Sequence, residues 1–134
     1  MENSAQTPSK GAIWTGRIFS TLAVLFMLMD AGVKFTKIPA VVETFAQLGY
    51  PLGLAPTLGV IMILCLIFYL IPQTSILGAV LLTGYLGGAI ATHLRVGNPL
   101  FSHILFPVYL ALFIWGGLYL REPRLRALIP FRNT

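Results

Sequence analysis

Charge is what this sequence lacks. Of its 134 residues only 10% are charged, nine basic and four acidic, for a net charge of +5. A soluble domain carries about 25% charged residues, and its surface wants roughly a quarter to a third. So few charges cannot clothe a water-facing surface of this size, and they exclude a disordered segment, a nucleic-acid module and an ordinary soluble enzyme. Cysteine is nearly absent too. Cys65 stands alone, so no disulfide within the chain and no CxxC pair can form, which excludes thiol–disulfide chemistry of the four-helix quinone-linked oxidase type. It lies in the apolar run 61–67 and reads as a small apolar residue. Phosphate loops, nucleophilic triads and metal-cage motifs are missing as well.

What fills the chain instead is apolar: 57% of residues are hydrophobic and the mean hydropathy is +0.84. A bilayer core about 30 Å thick asks for about 20 apolar residues per helix. Four stretches qualify, at about 13–33, 54–71, 76–94 and 99–120. The expected fold is all-α: a four-transmembrane-helix bundle over 13–122, with a disordered tail at 1–12 and a basic tail at 123–134. The run 18–29 after Lys10 and Arg17 resembles a signal-peptide core, but Asp30 and Lys34 follow without an A-x-A cleavage site, and the segment reads as a retained anchor.

Local signals mark the boundaries. Pro56 falls in the first turn of the second stretch and Pro72 closes it, before the polar turn Gln73-Thr74-Ser75. Asn98-Pro99 predicts an N-cap and first residue for the fourth helix. Pro107 predicts a kink inside it that frees a carbonyl near residue 103. Between the first two stretches, 39–49 predicts a short amphipathic helix, started by Pro39 and capped by Gly49. Its apolar face is Val41, Val42, Phe45 and Leu48, with Glu43 and Gln47 opposite, and it is expected to lie as a lid on the outer interface.

Basic residues set the orientation. With four spans, Lys10, Arg17, Arg121, Arg124, Arg126 and Arg132 share one side, and Lys34, Lys37 and Arg95 the other. Both termini are then cytoplasmic, with Trp14, Tyr69, Trp115 and Tyr119 as the inner aromatic belt. The tail arginines read as an anchor to anionic headgroups.

Ionisable groups within spans are costly and mark function. In this topology Asp30, Lys34, His93, Arg95 and His103, from three helices, share one depth at the outer face. One reading is an interfacial ion-pair network, with Asp30 paired to Arg95 or Lys34. The other is a polar pocket in which Asp30 and a histidine move protons or bind the head of a lipid-soluble molecule such as a quinone. Histidine changes charge near neutral pH and suits that task. His93 and His103 as haem or metal ligands lack a third or fourth ligand at recognisable spacing. Asp30 lies too near a helix end for the midplane carboxylate of a small exporter. Gly84, Gly87 and Gly88, with Gly78, predict close helix packing or a dimer face. Tyr85 and Tyr109, at mid-depth, each need a hydrogen-bond partner, either one another or the carbonyl freed by Pro107.

The stretch His93-Leu-Arg95-Val-Gly-Asn-Pro99-Leu-Phe-Ser-His103-Ile-Leu-Phe-Pro107-Val-Tyr109 resembles the DoxX-like family of small bacterial membrane proteins. So do Trp115-Gly-Gly-Leu-Tyr119-Leu-Arg121 and Arg124-Leu-Arg126-Ala-Leu-Ile-Pro130, together with Asp30-Ala-Gly-Val-Lys34, Ala91-Thr92-His93 and the loop 43–51. The resemblance implies a four-helix bundle of a bacterial inner membrane. The wider superfamily takes its name from a subunit of a thiosulfate:quinone oxidoreductase, which implies a quinone-linked or redox-partner role, but it supplies no agreed catalytic residues. The expected function is an accessory subunit or quinone-like small-molecule binding bundle, without catalysis of its own. Its expected partners are the bilayer and a redox enzyme or a second copy, not nucleic acid. The alternatives are a small oligomeric transporter or channel and a structural assembly factor.

Overall fold

Apolar length and punctuation by proline and glycine build a chain of helices. The structure, a computed structural model, describes residues 8–129 and 131–132. Its elements are α1 (Lys10–Val33), α2 (Pro39–Leu48), α3 (Leu54–Leu70), a 3₁₀ turn (Pro72–Thr74), α4 (Ser75–Arg95), a π-helical turn (Leu100–Ile104), α5 (Phe106–Arg121) and α6 (Pro123–Leu128). No strand occurs among the described residues.

Three helical segments are long and apolar enough to cross a membrane: Lys10–Val33, Pro72–Arg95 and Leu100–Arg121. The apolar α3 has 17 residues and is about 25 Å long at 1.5 Å per residue. Large apolar side chains cover the exterior, among them Trp14, Leu25, Met29, Leu64, Leu70, Val80 and Leu112, each about half exposed or more. Such a surface suits lipid rather than water. The protein is thus an all-helical membrane protein.

Several boundaries differ from expectation for identifiable reasons. Ser9 caps α1 by accepting from the Ala12 N–H at 3.1 Å, so residues 10–12 are helical rather than tail; residues 1–7 lie outside the described residues. Pro107 sits in the first turn of α5. It lacks an N–H and cannot continue the helix of the preceding turn. The chain therefore tightens into α5 after a π turn, in place of one kinked helix. Asn98 does not cap that segment; its side chain turns back to His93. Pro39 starts α2 and Gly49 ends it at φ 76°, the left-handed conformation that favours glycine.

The core joins Ala23, Met27 and Ala31 of α1 to Met62, Leu66 and Tyr69 of α3, Ala79, Leu82 and Leu86 of α4, and Leu110, Ile114 and Leu118 of α5. The α1–α5 pair is the most extensive, because Gly16, Ser20 and Gly117 let the backbones meet. A methyl at Gly117 would collide with Ser20 and with the Gly16 carbonyl. In α4, Gly78 has that role, lying against the Tyr69 backbone. Gly84, Gly87 and Gly88 do not: a methyl on any of them would meet nothing within 4 Å. These three therefore do not pack α4 within the chain.

Tyr69 is likewise not a belt residue. It is 1% exposed, and its hydroxyl donates to the Ile114 carbonyl at 2.7 Å. That spends its proton, so the Ser20 hydroxyl, 2.7 Å away, must be donor to Tyr69. Ser20 in turn accepts from Arg121 Nη2 at 3.0 Å. The directed chain Arg121–Ser20–Tyr69–Ile114 ties α5, α1 and α3 together at the end of the bundle that carries the termini. Trp115 is turned toward α4, where its Nε1–H donates to Thr83 Oγ1 at 2.7 Å.

Candidate functional site

At the opposite end, the elements leave a cavity of about 540 Å³. It lies between α1, α2, α3, α4, the π turn and α5, and most of its wall is apolar, including Phe26, Met27, Leu58, Met62, Phe106 and Leu110. Four of the five sequence-predicted polar residues line it: Asp30, Lys34, His93 and His103. Gly84 and Gly88 line it as well. Lacking side chains, they leave that part of the wall open.

Helical spacing joins Asp30 to Lys34 in a salt bridge across one turn of α1. The Lys34 side chain is the deeper partner, 14% exposed against 40% for Asp30. His93 and His103 stand edge to face, ring centroids 5.6 Å apart. The π turn brings them together by carrying His103 back over the end of α4. Asn98 Nδ2 lies 2.7 Å from His93 Nδ1. An amide nitrogen only donates, so Nδ1 accepts, and in the neutral ring the proton sits on Nε2. His93, on the cavity wall, thereby keeps an N–H that Asn98 does not occupy. His103 Nδ1 is 2.8 Å from Ser102 Oγ, and Ser102 also lines the cavity.

Arg95 is the fifth residue, and it does not join them. Its guanidinium donates to the Leu48 carbonyl at the end of α2, a group left open by helix termination. Asp30 accordingly pairs with Lys34, not with Arg95. A second tie holds α2 in place: the Tyr50 hydroxyl lies 2.6 Å from Thr92 Oγ1. Thr92 gives its own proton to the Gly88 carbonyl at 2.8 Å, so Tyr50 is the donor. Of the expected apolar face of α2, Val41 and Phe45 are buried while Val42 is 40% exposed. Phe45 and Leu48 reach the cavity wall.

Tyr50, Tyr85, Thr92 and Ser102 belong to the cavity without having been singled out as its residues. Their signal was a hydroxyl in an otherwise apolar stretch, at the depth of the titratable layer. Tyr85 faces the cavity, whereas Tyr109 finds its partner in the Phe101 carbonyl, 3.4 Å away. Among the described residues no three His, Cys, Asp or Glu side chains gather to hold a metal ion. The arrangement can hold an amphiphile, with apolar walls for a ring or chain and N–H, ammonium and hydroxyl groups for polar oxygens.

Comparison with known proteins gives one match. No curated protein and no solved structure matches the chain. The family model of the DoxX-like family covers residues 18–117, from the second third of α1 to the second half of α5. That span includes Asp30, Lys34, His93 and His103, and the chain belongs to the DoxX-like family.

Proposed function

We propose that this protein is a four-span bundle of a bacterial inner membrane, with both termini cytoplasmic, whose outer-facing cavity binds the head of a quinone-like molecule. It acts as an accessory membrane subunit that delivers or holds this molecule for a redox partner. The observation that carries the reading is the cavity itself. Ligand sites are concave, about 300–1,000 Å³, mostly apolar, with a few convergent polar groups, and this one has about 540 Å³ with Asp30, Lys34, His93 and His103 on its wall. The His93 Nε2–H suits a quinone carbonyl oxygen, and the phenylalanine and leucine wall suits the ring. In this topology the apolar α3 (Leu54–Leu70) serves as the remaining span. The six-to-three bias of basic residues supports the orientation.

Titration of the purified full chain in mild detergent with decylubiquinone tests the binding. Saturable binding near one equivalent per chain is expected. His93→Gln should weaken it by about tenfold, the ratio that a hydrogen bond of about 1.4 kcal/mol commands. Absence of saturable binding, or binding by His93→Gln as tight as by the wild type, would sink the proposal.

A further inference from the structure

A second, smaller cavity of about 260 Å³ lies at the end carrying the termini, lined by Arg17, Ser20, Thr21, Val24 and Leu25 of α1, Tyr69 and Leu70 of α3, and Arg121 of α5. Among the described residues its two charged side chains are both cationic and none is a carboxylate. Arg121 is anomalous. Its Nη2 donates only to the neutral Ser20 hydroxyl, its guanidinium stands over the Tyr69 ring at 5.8 Å, and its Nε is buried without a hydrogen-bond partner. Buried polar atoms are almost always satisfied, and a half-buried cation without an anion is costly. The neighbouring Arg126 shows the contrast. It donates to the Tyr119 and Leu120 carbonyls, closing the end of α5.

From this we infer a binding site for the phosphodiester headgroup of one anionic phospholipid, held between Arg17 and Arg121 in the groove of α1, α3 and α5. Basic pockets between transmembrane helices suit anionic headgroups, and arginine matches phosphate oxygens in a two-pronged geometry. The lipid, rather than free phosphate, is favoured by the rest of the wall. Leu25 and Leu70 are each 59% exposed and run from the arginines onto the apolar exterior, where an acyl chain would follow. The site lies at the end of the bundle opposite the quinone-like cavity and stands independently of that reading. Of the tail arginines Arg121, Arg124 and Arg126, only Arg121 lines this site, and Arg17 joins it there.

The test is native mass spectrometry of the full chain released from nanodiscs with equal phosphatidylglycerol and phosphatidylcholine. The wild type should retain one phosphatidylglycerol in preference to phosphatidylcholine. Arg17→Gln and Arg121→Gln should each cut that preference about fivefold, the ratio corresponding to about 1 kcal/mol per basic residue near a lipid surface. Arg124→Gln, at an exposed position of α6, should leave it unchanged. Arg17 is also exposed, so Arg17→Gln reports on the site even where Arg121→Gln fails to fold. Equal retention of the two lipids, an equal loss in Arg124→Gln, or displacement of the lipid by excess inorganic phosphate would each overturn the inference.

Discussion

Replacing Gly84 and Gly88 by alanine separates cavity-forming glycine from packing glycine by the sign of the effect. Glycine in a helix interior is destabilising by roughly 0.5–1 kcal/mol relative to alanine. A Cβ at either position meets nothing within 4 Å, so no clash offsets that gain. Each substitution should therefore raise stability by about 0.5–1 kcal/mol, a shift of a few degrees in Tm. Gly84 and Gly88 both line the 540 Å³ cavity, so added methyls should take up part of its space and decylubiquinone binding should fall as stability rises. Gly78→Ala is the internal control. Its Cβ would strike the Tyr69 backbone, and overpacking of that kind costs about 1–3 kcal/mol. The assay is thermal unfolding in detergent, followed by tryptophan fluorescence, alongside ligand titration. A fall in Tm for Gly84→Ala or Gly88→Ala as large as that for Gly78→Ala would refute the assignment and return these glycines to helix packing.

Further expectations follow from the polar contacts. Asp30→Asn leaves Lys34, the less exposed partner, without its counter-ion, whereas Lys34→Met leaves only the more exposed Asp30. Thermal unfolding should therefore show the larger loss in Asp30→Asn, about 1–3 kcal/mol, between the values for surface and buried pairs; equal or reversed losses would contradict the depths assigned. Tyr69→Phe removes the donor to the Ile114 carbonyl and the acceptor of the Ser20 hydroxyl. It should cost about 1–3 kcal/mol, measurable by the same assay, and a neutral result would mean that the chain of bonds is not formed. Arg95→Met releases the Leu48 carbonyl and should speed hydrogen exchange selectively in α2, with α4 little changed. Unchanged exchange would show that α2 is held by other contacts.

Much of this arrangement was legible in the residues. Apolar length set the helices, and proline and glycine placed most boundaries within a few residues. Depth along each apolar stretch brought Asp30, Lys34, His93 and His103 to one layer, because 1.5 Å per residue converts position into height. What height does not convey is facing. Arg95, two residues beyond His93 on α4, projects to another side of the helix and reaches the Leu48 carbonyl. Tyr69, near a helix end, turned inward because Ser20 and the Ile114 carbonyl offered buried partners. The glycines of α4 were ambiguous for a similar reason: a small residue admits close approach but does not say what approaches. The π turn was hidden because two prolines, eight residues apart, are compatible with one kinked helix.

Photolabelling with an azido-benzoquinone tests most directly whether Asp30, Lys34, His93 and His103 surround one ligand cavity. In reconstituted protein, label should concentrate in the last turns of α4 and in residues 100–106, and excess decylubiquinone should suppress it. Label scattered over the lipid-facing residues of all the helices, undiminished by competitor, would contradict the account.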